Sequence, residues 1–498
     1  MIYSYEPLGY EVKLVHIETS VRKLDSKNSS RIQIVGMCDS LIRETENRIT
    51  SAIENSGYEL PAKEMLLSIS PVDIRKDSCN HDLALALSAL CSPQKDILVL
   101  GELDAEGNTR PARGAYAAMQ KAIEMGIKYA IVAYHSDVPP EGDISVHYAK
   151  NLTEAAEAME FFNCLNDSES TVSFPDGEDY KKDSDTLLPN CSEKTVRAVI
   201  VAAAGKHNIL LWGNKECGKE LALEALKDIT PLPTSSEAQT INRIHSIAGL
   251  LSTNKNFTPY RIPHQSVTVE GLFGGGVNLN PGETSLAHGG ILCLQDVEEF
   301  RTSCLQFLKV PMSSKCITLV RAGQSTTFPA DFQLAVTATG CPCGNFGRKD
   351  KVCQCSSNAV KTFWKKISFL DTDRIPIRFE VVEPENKKDK SRITVAEARR
   401  VVEVAINIQR ERGFYNGQAI FDFDFHSDMS EDAVKFTNSA VFDNFTPTEA
   451  NYVLYVARTL ADIEQMEHIE ARHIKEALAL HQPTPLDTLE DKKRRTEK

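Results

Sequence analysis

Long apolar runs are missing from this 498-residue chain. Stretches such as VRAVIVAAAG (196–205) fall well short of the ~20 residues that cross a bilayer. The opening residues, MIYSYEPLGYEVKLV, lack the basic stretch and apolar core of a secretory signal, so the cytoplasm is the expected location. A surplus of positive charge is missing too. The formal net charge is −13, which excludes a surface coated in basic patches for duplex DNA. It leaves room for DNA held in the pore of a ring by a few loops. The short basic runs at 387–392 and 492–495 read as solvated loop and tail. Nothing suggests a disulfide framework: thirteen cysteines without an export signal read as thiols or metal ligands. Cys38, Cys91, Cys293 and Cys316 sit among apolar neighbours and read as small core residues.

What is present is ordinary globular material, 42% hydrophobic and 25% charged, enough for two or three domains. Residues 1–165 alternate strand-like segments (31–37, 64–72, 96–103, 128–134) with helical spacing (43–57, 82–90, 117–126), which predicts an α/β or α+β domain. Residues 166–189 are rich in Ser, Asp, Lys and Gly and read as a linker. A second α/β block occupies 190–384. The remainder, 385–498, opens on an exposed connection, is mainly helical, and ends in a charged tail.

The second block begins helix (193–204), strand (207–212), glycine loop (213–219), helix (220–228). Gly213, Gly218 and Lys219 fit G-x-x-x-x-G-K, in which backbone N–H groups and a helix N-terminus cradle phosphate and the lysine reaches its outer oxygens. A plain strand–turn–helix with a chance lysine fits the motif alone as well. The next position needs a hydroxyl for Mg²⁺, but holds Glu220. Two like charges ~4 Å apart cost about 4 kcal/mol at an effective dielectric of ~20, so a carboxylate here opposes phosphate.

Around this loop the chain resembles the ComM/YifB family of magnesium-chelatase-like AAA+ ATPases. IVAAAGKHNILLWGNKECGK (200–219) is similar to that family's phosphate-loop stretch. Matching blocks follow in order at 51–63, 100–114, 124–133, 260–276, 281–294, 341–344, 373–375 and 456–462. The resemblance implies an N-terminal domain with the fold of ribosomal protein S5 domain 2, shared with the Lon protease. An AAA+ core and a helical lid follow, in a homo- or hetero-hexameric ring linked to DNA branch migration. Where Lon places its nucleophile and base, this chain has His81 and Tyr116, with Ser78 nearby, so proteolysis is not expected.

The same comparison assigns the remaining site positions. The family's Walker B strand ends Asp-Glu; here it ends Gln295-Asp296, and strand alternation turns Asp296 to the opposite face. Thr339 stands for the sensor asparagine and Thr448 for the lid arginine. Asp373-Arg374 keeps the trans-acting finger, though an ordinary ion-paired arginine fits Arg374 as well. Arg458 is retained. The catalytic candidates are therefore Asp296 and Arg374, and the nucleotide-binding ones Gly213, Gly218, Lys219 and Glu220. Replacing so many groups predicts weak or lost ATP hydrolysis, a weak or vestigial ATP site and an unsettled role for Mg²⁺.

Residues 341–355 read C-x-C, nine residues, C-x-C. Four soft thiolates, Cys341, Cys343, Cys353 and Cys355, suit a structural tetrahedral Zn²⁺, with Gly344 and Gly347 making the turns. Free or redox-active thiols are the other reading. Three functions follow: a ring protein acting on DNA through Gly274–Gly276, Asn278 and Asn280, where a tight structural turn fits equally; a non-catalytic partner of an active AAA+ paralogue; or a chelatase-like motor subunit.

Overall fold

The structure is a computed structural model. It describes residues 1–498 except 24–30, 61–62, 77, 135, 137, 139–142, 166–187, 189–191, 216, 251–255, 349–350, 371–373, 383–392, 419–427, 439–441, 443–444 and 490–498. The expected linker at 166–189, apart from Leu188, and both short basic runs lie outside the described residues, as does Asp373.

The N-terminal lobe is a seven-stranded mixed sheet. Its order is Arg31–Val35, Lys63–Ser70, Glu11–Lys23, Ile2–Leu8, Ile97–Leu100, Tyr129–Ala133, Ser145–Ala149. One face is covered by the helices Asp39–Asn55, Asp82–Leu90 and Leu152–Cys164, whose apolar residues join one core. The helix Ala115–Glu124 covers the other face. The last strand and the helix Leu152–Cys164 were not anticipated, nor were the two N-terminal strands.

A second, all-parallel sheet follows, ordered Tyr260–Arg261, Ile291–Leu294, Gln333–Thr339, Ile209–Gly213, Ile377–Val381. The strand next to its Ile377–Val381 edge, ILLWG, is buried along its whole length, as expected of a parallel strand covered on both faces. The helices Glu193–Gly205 and Lys219–Ile229 lie on one side. On the other, Phe300, Leu305, Trp364 and Trp212 form a separate core.

The C-terminal helices Val395–Arg412 and Pro447–Ile463 pack on the helix Glu193–Gly205, and Ala471–Leu480 packs on Pro447–Ile463. Thr394 and Thr446 open the first two with reciprocal Thr–Glu capping boxes. Polar contacts fix this seam. Gln409 Nε2 donates to Ala204 O at 2.8 Å, and His207 Nε2 lies 2.7 Å from Thr459 Oγ1.

The two lobes are docked. Phe328 and Ile247, from the second lobe, are buried in the core of the first. Gly114 N donates to Ser246 O at 2.9 Å, and Tyr10 packs edge-on to Phe328. Arg113 reaches across to Ile247 O and to Asn280 Oδ1. Among the described residues no helix is long and apolar enough to cross a membrane.

Candidate functional site: the phosphate loop and the cysteine loop

Ligands of open parallel sheets sit beyond the carboxyl ends of the strands. That edge here is formed by Gly213, Leu294, Thr339 and Val381. Gly213 pairs with both Thr339 and Val381. A Cβ on Gly213 would lie 2.5 Å from Val381 O and 3.0 Å from Cys217 Sγ, so only glycine lets the loop leave the strand here. Gly218, at φ +89°, turns the chain into the helix Lys219–Ile229. Lys219 is 1% exposed and its Nζ donates to Asn214 O, 2.7 Å away, inside the loop. Gly213, Gly218, Lys219 and Glu220 therefore all belong to one turn.

Asp296 departs from the expectation that alternation would turn it away. The strand ends at Leu294, and Asp296 sits at φ +50° in a left-handed turn, so no alternation applies. Its N–H donates to Thr337 Oγ1 at 2.9 Å. Burial pushes its carboxyl pKa up, and the charge of Glu220 pushes it further. Lys219 and Lys215 act the other way. Asp296 thus shares one electrostatic neighbourhood with the phosphate loop, with Glu220 opposing it.

One acid escaped the motif reading. Glu298 is 7% exposed, and its Oε1 accepts from Thr339 N at 3.0 Å and from Thr339 Oγ1 at 2.6 Å. Burial raises its pKa. Its other oxygen, Oε2, is buried without a hydrogen-bond partner. Thr339 is thus engaged by a carboxyl two residues past Asp296. The available signal was the acidic run at 298–299 directly after the strand.

Arg374 lies elsewhere. Its carbonyl accepts from Asn208 Nδ2 at 3.1 Å, just before the strand Ile209–Gly213 begins. The phosphate loop is at the far end of that strand, roughly 16 Å away at ~3.3 Å per residue. Arg458 is 2% exposed and held by Asp462, Asp428 and the carbonyls of Met466 and Glu467. Thr448 lies in the first turn of the helix Pro447–Ile463.

The four cysteines of the 341–355 loop converge. Their sulfurs all lie within 4.8 Å of one another, with 3.3 Å between Cys341 and Cys343 and 3.6 Å and 3.7 Å from these to Cys353. Sulfurs ~2.3 Å from a central zinc at tetrahedral corners are ~3.8 Å apart, so the donor set fits that ion. Gly344 and Gly347 take left-handed turns at φ +73° and +76°. Of the four isolated cysteines expected in the core, only Cys293 is fully buried; Cys38, Cys91 and Cys316 are half-buried.

Gly274–Gly275 pairs with Asn280–Pro281 as a short hairpin, whose tip exposes Val277 and Asn278. Asn280 is not free: Arg113 of the N-terminal lobe holds it. In that lobe His81 is fully buried, 2.9 Å from both Glu6 Oε2 and Ser4 Oγ, while Ser78 Oγ donates to the same Glu6 oxygen. Tyr116 is buried.

Comparison with known proteins agrees with this arrangement along almost the whole chain. The family models described as "Subunit ChlI of Mg-chelatase", "Magnesium chelatase, subunit ChlI" and "Magnesium chelatase, subunit ChlI C-terminal" match residues 21–136, 190–389 and 393–481. The uncharacterised protein YifB of Escherichia coli is 26% identical over 499 residues, 96% of each chain. The competence protein ComM of Haemophilus influenzae is 26% identical over 505 residues, also 96% of each. An uncharacterised protein of Mycobacterium tuberculosis is 29% identical over 395 residues, 76% of each. The chain belongs to the ComM/YifB family. ComM/YifB membership supports an AAA+ ATPase-like function and, with it, nucleotide and Mg²⁺ use. The loop after Gly213 in this ComM/YifB chain leaves a buried strand and enters a helix through the left-handed Gly218, the frame a phosphate loop needs. Its side chains do not fit Mg²⁺ in the usual way, because Glu220 replaces the hydroxyl and Gln295 the strand-end acid.

Proposed function

We propose that this chain is a ring-forming AAA+ subunit linked to DNA processing, whose phosphate loop retains weak nucleotide binding and whose ATP hydrolysis is weak or lost. One observation carries the reading: Gly213 and Gly218 turn a buried strand into a helix that opens on the buried Lys219, and the position directly after that lysine holds Glu220 where Mg²⁺ needs a hydroxyl. Lys219 and the backbone of the loop bind phosphate; Glu220 repels it. The N-terminal lobe acts as the S5 domain 2-like module, and the hairpin tip at Val277 and Asn278 faces the nucleic acid. Four thiolates, from Cys341, Cys343, Cys353 and Cys355, hold a structural zinc, which supplies cross-linking of the loop and no reaction chemistry.

A second reading is favoured by the place of Arg374, which lies at the opposite end of the strand from its own phosphate loop. Arg374 then serves a neighbouring subunit, and the chain acts as a non-hydrolysing partner in a mixed ring. Sedimentation of the full chain with labelled single-stranded DNA tests both. Ring-sized particles that carry DNA support the first reading. Rings that form only with a co-purifying AAA+ protein support the second. A monomer at all concentrations that ignores DNA sinks the first, and one that also recruits no AAA+ protein sinks both.

A further inference from the structure

The cysteine loop is not a remote ornament of the fold. It leaves the strand Gln333–Thr339 next to the phosphate loop, and two contacts tie the loops together. Gly340 N donates to Gly213 O at 3.2 Å, continuing the pairing of Thr339 with Gly213. Three residues past Cys341, and directly after Cys343, the Gly344 turn meets the stem of Lys215, the second residue after Gly213. A Cβ on Gly344 would lie 2.9 Å from Lys215 Cγ and 3.0 Å from both Cδ and Cε. The lysine stem therefore lies flat across the turn that sets the spacing of Cys341 and Cys343. Trp364 Nε1, donating to Gly340 O at 3.0 Å, holds the same junction from the buried side.

A four-cysteine site gathers its ligands only when the metal is present, since unligated thiolates repel and thiols do not cross-link. We propose that the metal held by Cys341, Cys343, Cys353 and Cys355 braces the phosphate loop through the Gly344–Lys215 contact, so that metal occupancy sets the order of residues 214, 215 and 217–219. This rests on the zinc reading above but not on any nucleotide being bound. The brace links two short loops whose described residues form no helix or strand before Lys219 and between Cys341 and Cys355, so the order of one depends on the other.

Hydrogen–deuterium exchange of the full chain, with zinc content measured on the same samples, tests this without nucleotide. Stripping the metal with a chelator should speed exchange of the amides of 214–219 about tenfold, leaving the strands of the N-terminal sheet unchanged. In Lys215→Ala the loop should exchange fast even with zinc bound, and stripping should add less than about twofold. Should stripped protein aggregate, zinc-loaded Lys215→Ala compared with the zinc-loaded parent serves by itself: it leaves the four cysteines and their turns untouched, and the same fast exchange at 214–219 is expected with zinc retained. Protein purified without metal overturns the zinc reading and the brace together. Full zinc content with exchange confined to 341–356 on stripping overturns the brace alone, as does unchanged exchange at 214–219 in zinc-loaded Lys215→Ala.

Discussion

Glu220 sits in the first turn of the helix that closes the phosphate loop, where a hydroxyl would favour a triphosphate and a carboxylate opposes it. Replacing it with threonine removes that repulsion; because the site is partly open to water, a gain of about tenfold to a hundredfold in nucleotide affinity is expected in a fluorescence titration. Arg458 makes a contrasting case. It was carried in the sequence by a family motif, but its bonds to Asp462 and Asp428 show a buried structural role. Arg458→Ala leaves Asp462 buried with one cation fewer, and a loss of about 3–5 kcal/mol is expected in chemical denaturation. His207 is fully buried and its pKa is pushed down to about 3. The unfolded chain therefore binds a proton near pH 6.5 that the folded chain refuses. Stability at this residue is present above pH 6.5 and falls by about 1.4 kcal/mol per unit as pH drops towards 3. His207→Gln should flatten that slope in denaturation midpoints measured between pH 7 and 5.

At the scale of elements, the amphipathic helices and buried parallel strands were legible. Asp82–Leu90 matches its anticipated bounds, and Ile209–Gly213 lies within two residues of its expected place. The first strand, Ile2–Leu8, was hidden for a physical reason. Its buried positions include Ser4 and Glu6, which are tied to His81, and buried polar residues look like surface in a sequence. The strand carrying Asp296 ended two residues sooner than its apolar pattern suggested, and the left-handed turn that followed reversed the inference about its direction. Glu298 is not legible from motif positions, because its place in the site depends on a partner, Thr339, 41 residues away. At the phosphate loop, Gly213→Ala would press a methyl onto Val381 O. A loss of about 1–3 kcal/mol and of all nucleotide binding is expected, checked by calorimetry and titration on the same sample.

For the whole molecule, the contacts that join the lobes were invisible in the sequence. Arg113 reaches 134 residues forward to Ile247 and 167 to Asn280, linking the N-terminal lobe to the glycine hairpin that is the candidate DNA contact. Family kinship was legible because it is spread over both lobes. The central claim concerns chemistry within that kinship: a cradle built for phosphate, with its metal-organising groups exchanged for Glu220 and Gln295. Steady-state ATP turnover by the purified full chain, with and without single-stranded DNA, tests it most directly. The account predicts turnover at least about a hundredfold below the ~10 s⁻¹ typical of enzymes, unchanged by Lys219→Ala. Turnover near that ordinary rate, stimulated by DNA and abolished by Lys219→Ala, would contradict it.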